Sequence, residues 1–260
     1  MPRSVWYYRS KRDDTSVIEL LDQLSDERPE EGFWKLYDRI RNSGVIWNHK
    51  RVHRVYKLMR LNLKRKKKRR LPKRVSEQIS VPEYLNHTWS MDFMADVLTT
   101  GRKFRVLTLL DDYNREGLAL EIDTSLGAER VIRVLNRIIT SRGKPQRIRV
   151  DNGPEFTSKA LKKWSMENKV EIKFIQPGKP TQNAFIERFN GTFRRAILDA
   201  YLFDSLTQVR SLSQSWLWDY NQKRPHDSLG RISPINYAKK SLKQNKIEAL
   251  AGQAGLICPG

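Results

Sequence analysis

The sequence predicts an α/β domain with a mixed sheet, preceded by a small all-helical domain. From residue 84 onward, three short β-like runs are followed by alternating helical and β-like segments, the order typical of a layered α/β domain. Before that point, apolar residues recur at helical spacing. The charge divides in the same way, because the first 74 residues hold 22 Lys and Arg but only 9 Asp and Glu. A charge asymmetry of this size marks a separate module.

The composition of the whole chain restricts its partners. A formal charge of +21 in 260 residues exceeds what solubility requires and indicates a polyanionic partner, above all nucleic acid. No apolar run approaches the roughly 18 residues of a membrane span, so we expect no membrane partner and a cytoplasmic protein. Cys258 is the single cysteine, which excludes a multi-cysteine zinc site.

The helical domain is predicted to span residues 1–62 and to contain three helices. Apolar residues at helical spacing mark the first two, around 17–24 and 33–40. Asn48 can cap the third helix, which is basic on one face. That face carries four candidate DNA-binding residues, Lys50, Arg51, Arg54 and Lys57. The pattern is typical of a helix-turn-helix DNA-binding domain, and an ordinary helical bundle with a solvated charged face is the alternative.

A basic linker is predicted for residues 63–83. It contains seven consecutive basic residues, Lys64, Arg65, Lys66, Lys67, Lys68, Arg69 and Arg70. Like charges at this density repel one another and disfavour packing, so the segment is expected to connect two modules. We also expect it to follow a phosphate backbone, with a merely solvated segment as the alternative.

The α/β domain is predicted for residues 84–205, followed by a helical extension at 206–240 and a weakly structured tail at 241–260. Its predicted strands are 89–94, 104–110, 118–122, 147–150 and 171–175, and its predicted helices are 127–142, 158–168 and 183–201. A Thr99-Thr100-Gly101 turn joins the first two strands. Three aromatic residues of the extension are expected to pack in the core, with stacking on unpaired bases as the alternative: Trp216, Trp218 and Tyr220.

Three carboxylates stand out against this basic background. Asp92 interrupts an apolar strand, where an aspartate is costly unless it is paired or binds a metal. Asp151 opens a turn directly after a strand, where open α/β sheets place their ligand sites. Glu187 lies on a predicted helix beside its apolar stripe, with 35 residues between it and Asp151, so its carboxylate can face the two aspartates.

Taken singly, these carboxylates have ordinary interpretations as a turn or capping residue, a surface charge and a hydrogen-bonded strand residue. Four other acidic residues compete with them, Asp96, Asp111, Asp112 and Glu155. We interpret Asp111 and Asp112 as the polar end of the second strand, and Asp96 as a solvent-facing residue at a strand end. If the first three converge, they can hold two divalent cations about 3.5–4 Å apart, a geometry suited to phosphodiester transfer.

The order and spacing of these motifs resemble the Asp-Asp-Glu core of retroviral integrases and bacterial insertion-sequence transposases. Residues 178–191, GKPTQNAFIERFNG, look like the third-carboxylate motif of the group typified by insertion sequence three. Residues 44–60 look like the helix-turn-helix segment of that group. Its C-terminal signature resembles four short motifs, Tyr220-Asn221, Arg224-Pro225-His226, Leu229-Gly230 and Ser233-Pro234. The resemblance covers residues 5–240.

The resemblance implies a ribonuclease-H-like catalytic domain, a five-stranded mixed sheet flanked by helices, that cleaves and transfers DNA strands. It implies that Asp92, Asp151 and Glu187 are the catalytic residues and the ligands of two Mg²⁺ or Mn²⁺ ions. Five nearby residues are candidates for holding the scissile phosphate or the element end: Lys179, Asn183, Arg188, Asn190 and Arg194. Plain surface charge is the alternative for each of them.

Two other functions stay open on the sequence, a ribonuclease-H-type nuclease that only hydrolyses and a DNA-binding regulator with an inactive core. The helix-turn-helix segment disfavours the first, and the complete set of carboxylates disfavours the second. As partners, the resemblance implies double-stranded DNA at element ends and target, and at least a dimer, because two ends are joined. The product of an upstream DNA-binding reading frame is a further candidate partner. The expected location is the bacterial nucleoid.

Overall fold

The computed structural model describes residues 13–63, 82–176 and 180–254 of the chain. Two compact units are present, Met1–Arg70 and Leu71–Gly260. The predicted basic run Lys64–Arg70 and the candidate DNA contact Lys179 lie outside the described residues. No helix in the described part is long and apolar enough to cross a membrane.

Within residues 13–63, the described part of the first unit, the chain forms three helices, as the apolar spacing predicts: α1 (Thr15–Glu27), α2 (Phe33–Asn42) and α3 (His49–Leu58). They enclose one apolar core to which each helix contributes buried side chains, such as Val17, Leu36 and Val52. The predicted cap of α3 is present, because the side chain of Asn48 accepts a 2.8 Å hydrogen bond from the N–H of Lys50.

The second unit is built on a five-stranded mixed sheet. Its strands are β1 (Thr88–Val97), β2 (Lys103–Asp111), β3 (Gly117–Asp123), β4 (Arg147–Val150) and β5 (Glu171–Phe174). The spatial order is β3-β2-β1-β4-β5, so β1 is the central strand. Strands β1 to β3 form an antiparallel meander, whereas β4 and β5 run parallel to β1 because a helix precedes each of them. The predicted mixed sheet is confirmed.

Helices cover both faces of this sheet. On one face, α4 (Ala128–Arg142) and α5 (Lys159–Asn168) pack on alternate residues of the strands, among them Trp89 and Met91 of β1. On the other face, α6 (Ala184–Phe193) and α7 (Leu206–Gln222) pack on the residues between, such as Met94. Because side chains of a strand alternate between its two faces, Asp92 lies on the α6 side.

Two C-terminal segments differ from the sequence prediction. The single helix expected at 183–201 consists of a 3-10 turn at Pro180–Asn183, α6, and a π-helical turn at Arg194–Leu198. The described part of the tail expected at 241–260, residues 241–254, instead belongs to α8 (Pro234–Ala254), which starts with a proline, a residue well suited to the first helical position. Good helix formers then continue the helix, a preference that the tail prediction underrated.

The C-terminal extension is fastened to the first residue of β3. The Asn221 side chain bonds the backbone of Gly117 twice, accepting from its N–H at 2.9 Å and donating to its carbonyl at 2.8 Å. The rings of Trp216 and Tyr220 are buried and lie 5.5 and 5.0 Å from the ring of Phe189 on α6. The prediction of core packing is therefore confirmed for these two aromatic residues, whereas the third, Trp218, is half exposed.

Gly117 permits this close approach because it has no side chain. A Cβ atom at this position would lie 2.5 Å from Leu217 Cδ1 and 2.8 Å from Phe189 Cε2. Helices α6 and α7 can therefore pack against the start of β3 only while residue 117 is a glycine.

We expect Gly117→Ala to lower the free energy of unfolding by about 1–3 kcal/mol, because the added methyl group overpacks this contact. Gly191→Ala is the matched control, since its Cβ would meet only the flexible end of Arg195, at 3.5 Å. In a helix interior that change should stabilise by roughly 0.5–1 kcal/mol. Chemical denaturation measures both. Equal effects of the two substitutions would contradict the packing argument.

Candidate active site

Asp92 occupies the middle of the central strand and is held from two sides. Its Oδ1 accepts a 2.8 Å hydrogen bond from the N–H of Phe93, and its Oδ2 accepts one of 2.8 Å from the Asn190 side chain on α6. Asn190 is 7% exposed. The bond therefore joins the central strand to the helix that carries Glu187, and the sequence prediction of Asn190 as a DNA contact did not foresee it.

Asp151 and Glu187 approach Asp92 from two other elements. Asp151 follows the end of β4, and its Oδ1 accepts a 3.0 Å hydrogen bond from the N–H of Gly153, which closes the predicted turn. Glu187 is exposed in the first turn of α6, three residues before Asn190. The buried stripe predicted for this helix is confirmed by Ile186 and Phe189, so Glu187 lies at the edge of the core as expected.

The pKa of Asp92 is raised by burial and also by the two other carboxylates. Burial above all, together with the negative charges of Asp151 and Glu187, raises this pKa to about 6 against the opposing hydrogen bonds from Phe93 and Asn190. Both carboxylates thus act on Asp92 through space, although they come from different elements. A cation bound between the carboxylates would offset this repulsion, because it attracts each of them.

The donor atoms at this site suit a hard cation. Asp92, Asp151 and Glu187 offer only carboxylate oxygens, the ligands preferred by Mg²⁺ and Mn²⁺. The side-chain oxygen of Asn190 on α6 and that of Asn183, the residue before α6, are buried and have no hydrogen-bond partner among the described residues. Among the described residues, however, no three His, Cys, Asp or Glu side chains are already arranged as ligands of one ion. The chemistry of the donor set therefore fits a cation.

Glu155, one of the competing carboxylates, belongs to the same loop but is engaged elsewhere. It forms an ion pair with Arg105 of β2, which lowers the pKa of Glu155. The Arg105 guanidinium lies 4.1 Å from the centre of the Phe93 ring, and that ring stacks on Phe156 at 5.1 Å. These contacts attach the loop after Asp151 to the sheet. The alternation of residues along β2 could have placed Arg105 on the face of the sheet that carries Phe93. No pattern in the sequence, however, linked Arg105 to Glu155.

The other competing carboxylates are structural. Asp111 and Asp112 do end the second strand, but both are completely buried, so the interpretation as a polar strand end missed their environment. Asp112 accepts hydrogen bonds from Ser90 at 2.8 Å and from Arg149 at 3.1 Å, and burial raises its pKa to about 6. Sequence alone could not pair these residues, because Asp112 and Arg149 are 37 positions apart.

The candidate DNA contacts near the carboxylates differ in their surroundings. Arg188 is exposed, and Asn183 is buried at the N-terminal end of α6. Arg194 donates to the carbonyl of Ala95 at 3.0 Å and lies 3.6 Å from the carboxylate of Asp96. The charge of Arg194, a predicted DNA contact, is therefore partly neutralised by Asp96 of β1.

The candidates on α3 divide into two pairs. Lys50 and Lys57 are exposed. Arg51 and Arg54 instead form ion pairs with Asp14 at the start of α1, at 2.9 and 2.6 Å. The basic face predicted for this helix is thus present, but an acidic residue from another helix shares it.

Comparison with known proteins places each part of this arrangement in a family. An HTH-like domain matches residues 11–69, and Integrase core domain models match residues 83–180 and 168–234. A protein of the insertion element IS407 of Burkholderia multivorans is 38% identical over 242 residues, 92% of this chain and 87% of that one. The chain belongs to the insertion-sequence transposases. Transposase InsD of the Escherichia coli element IS2D is 26% identical over 88% of this transposase and 80% of its own length.

Family membership settles the class of reaction. This transposase is a polynucleotidyl transferase whose integrase core cleaves and transfers DNA strands, as the resemblance implied. The interpretations as a simple nuclease or an inactive regulator are thereby set aside.

Solved structures identify the fold of the transposase core. The HTLV-2 integrase catalytic core domain in complex with magnesium gives a TM-score of 0.50 at 19% identity, covering 60% of this chain and 98% of that one. A chain of the simian T-cell lymphotropic virus intasome gives 0.54 at 16%, with coverages of 74% and 67%. The predicted ribonuclease-H-like fold is confirmed.

Asp92→Asn should stabilise the metal-free transposase. A carboxyl whose pKa is higher in the folded than in the unfolded state destabilises the fold at neutral pH, and this penalty vanishes as pH falls through about 6 towards the ordinary value of 3.8. We therefore expect a gain of roughly 1–2 kcal/mol at neutral pH in the presence of a chelator, shrinking as the solution is acidified.

Thermal unfolding with a chelator measures this gain. Asp96→Asn is the control, because Asp96 lies on the same strand but pairs with Arg194, so that its loss should give no gain. A variant at residue 92 that melts no higher than wild type at neutral pH would contradict the electrostatic account.

Proposed function

We propose that Asp92, Asp151 and Glu187 are the catalytic residues of this transposase and the ligands of two divalent cations, Mg²⁺ or Mn²⁺. What supports this assignment is the placement of the three carboxylates around one half-buried strand residue, Asp92, whose pKa is raised by burial first and then by the charges of Asp151 and Glu187. Three mutually repelling carboxylates around the central strand of a ribonuclease-H-like sheet are costly without a cation. The competing acidic residues at this sheet are instead paired with arginines, as Glu155 and Asp112 are.

The residues of the chain have separable tasks in this mechanism. Asn190 holds the Asp92 carboxylate in one orientation by its 2.8 Å bond. The bond from Gly153 to Asp151 fixes the second carboxylate, and the first turn of α6 carries the third. When bound, the two cations supply the charge that activates the attacking oxygen and stabilises the departing 3′-oxygen of the DNA.

The proposed DNA contacts extend over both units. The exposed Arg188 holds a phosphate next to the carboxylates, with Asn183 and Arg194 as further contacts, and Lys179 is a further proposed phosphate contact on the sequence motif alone. On the helical domain, the exposed Lys50 and Lys57 contact DNA directly, and the basic run Lys64–Arg70 follows the phosphate backbone. Joining two element ends requires at least two copies of the chain, and the product of an upstream reading frame is a further proposed partner.

Substitution of each carboxylate tests the assignment. Asp92→Asn, Asp151→Asn and Glu187→Gln should each lower strand transfer by about a hundredfold, because the amide keeps an oxygen but loses the negative charge that holds the cations. Binding of duplex DNA should persist. Strand-transfer and binding assays with element ends and Mg²⁺ measure the two effects.

Glu155→Gln is the matched control for this experiment. Glu155 shares the loop of Asp151 but bonds Arg105, so its amide should cost much less activity. If Glu155→Gln were as inactive as Asp151→Asn, the ligand set would be wrong. Retained strand transfer in Asp92→Asn, Asp151→Asn or Glu187→Gln would also show that the ligand set is wrong.

Asn190→Ala tests the positioning of Asp92. Without the bond from Asn190, the Asp92 carboxylate has more freedom, and the Mg²⁺ concentration required for half-maximal cleavage should rise by about tenfold or more. Activity at saturating Mg²⁺ should recover substantially. A loss of activity that no Mg²⁺ concentration restores, or an unchanged Mg²⁺ requirement, would exclude this role.

A further inference from the structure

Asp14 connects the start of α1 to the basic helix α3. Its Oδ1 accepts a 2.9 Å hydrogen bond from Arg51, and its Oδ2 accepts one of 2.6 Å from Arg54. Arg51 also donates to the backbone carbonyl of Asp13. One carboxylate from another helix therefore binds two of the four basic residues of the proposed DNA-binding face.

This contact is not part of the capping of α1. Asp14 occupies the N-cap position, but its side chain makes no capping hydrogen bond to its own helix. Both of its carboxylate oxygens are used by the arginines, and these bonds, with Arg51 first, lower the pKa of Asp14. The side chain of Asp14 is 14% exposed, whereas those of Arg51 and Arg54 are 37% and 39% exposed.

The pairing changes what α3 offers to DNA. Lys50 and Lys57 are exposed, whereas a phosphate must compete with the Asp14 carboxylate for each of the two arginines. Phosphate contacts add affinity for DNA of any sequence, and base contacts supply discrimination. A carboxylate that retains two arginines therefore lowers the number of phosphate contacts that α3 can make with DNA of any sequence.

We propose that Asp14 is a specificity-determining residue of the transposase: it holds Arg51 and Arg54 away from phosphates of arbitrary DNA and so limits binding outside the element ends. This inference rests on the proposed role of α3 in DNA binding. The inference goes beyond that role, because Asp14 is acidic and lies at the start of α1, whereas the proposed DNA contacts of the helical domain are basic residues of α3.

The experiment compares the full-length Asp14→Asn variant with wild type on a short duplex of random sequence. The amide keeps the size of the side chain but releases the arginines. We expect the affinity to rise several-fold and the plot of log affinity against log salt to steepen by about one to two, the increment for one or two additional phosphate contacts. Fluorescence anisotropy over a range of salt concentrations measures both quantities.

Two further variants make the result decisive. Asp26→Asn removes the same charge from an exposed position of α1 for which the described structure records no ion pair, so its effect on slope should be small. In an Arg51→Gln, Arg54→Gln background, Asp14→Asn should give no gain. Equal gains from Asp14→Asn and Asp26→Asn, or a gain that survives without the arginines, would overturn the proposal.

The same measurements separate this inference from the proposed function. If wild type bound the random duplex without salt dependence, the proposed DNA-binding role itself would fail. If wild type bound with a steep salt dependence and Asp14→Asn bound no more tightly, the role of Asp14 alone would be wrong. Thermal unfolding of each variant establishes that the helical domain remains folded.

Discussion

The hydrogen bond from Asn190 to Asp92 is the contact on which the geometry of the site depends. It joins the central strand to α6, and only this packing brings Glu187 towards the two aspartates. The remaining packing serves the same end. Gly117 leaves room for Phe189 and Leu217, and Asn221 fixes the extension against β3. The C-terminal signature of the family therefore has a physical task here, which is to hold the helix of the third carboxylate against the sheet.

Much of this fold was predictable because its signals are local. Strand alternation placed Asp92 opposite Trp89 and Met91, and the apolar spacing of α6 identified the buried stripe beside Glu187. Asn48 was correctly predicted as a cap, since capping involves residues only two or three positions apart. The three carboxylates were found by combining such local patterns with the family motifs, whereas spacing alone left Asp96, Asp111, Asp112 and Glu155 as competitors.

The contacts that could not be predicted are those between distant parts of the chain. Asp112 meets Arg149, Glu155 meets Arg105, and Asn190 meets Asp92 across 37, 50 and 98 positions. Each pair is specified by the arrangement of the strands and of α6 in space rather than by a sequence period. The same limit applies to the helical domain, where the basic face of α3 was evident but its pairing with Asp14 required the tertiary structure.

Because α6 depends on contacts with α7, the active site can form only late in the synthesis of the protein. All three carboxylates leave the ribosome before Asn221, yet the contacts of Trp216, Tyr220 and Asn221 that secure α6 come later in the chain. A nascent chain that already contains Glu187 would thus still lack the packing that directs it towards Asp92. Translation beyond α7 would then act as a natural delay, so that nuclease chemistry begins only after the core is nearly complete.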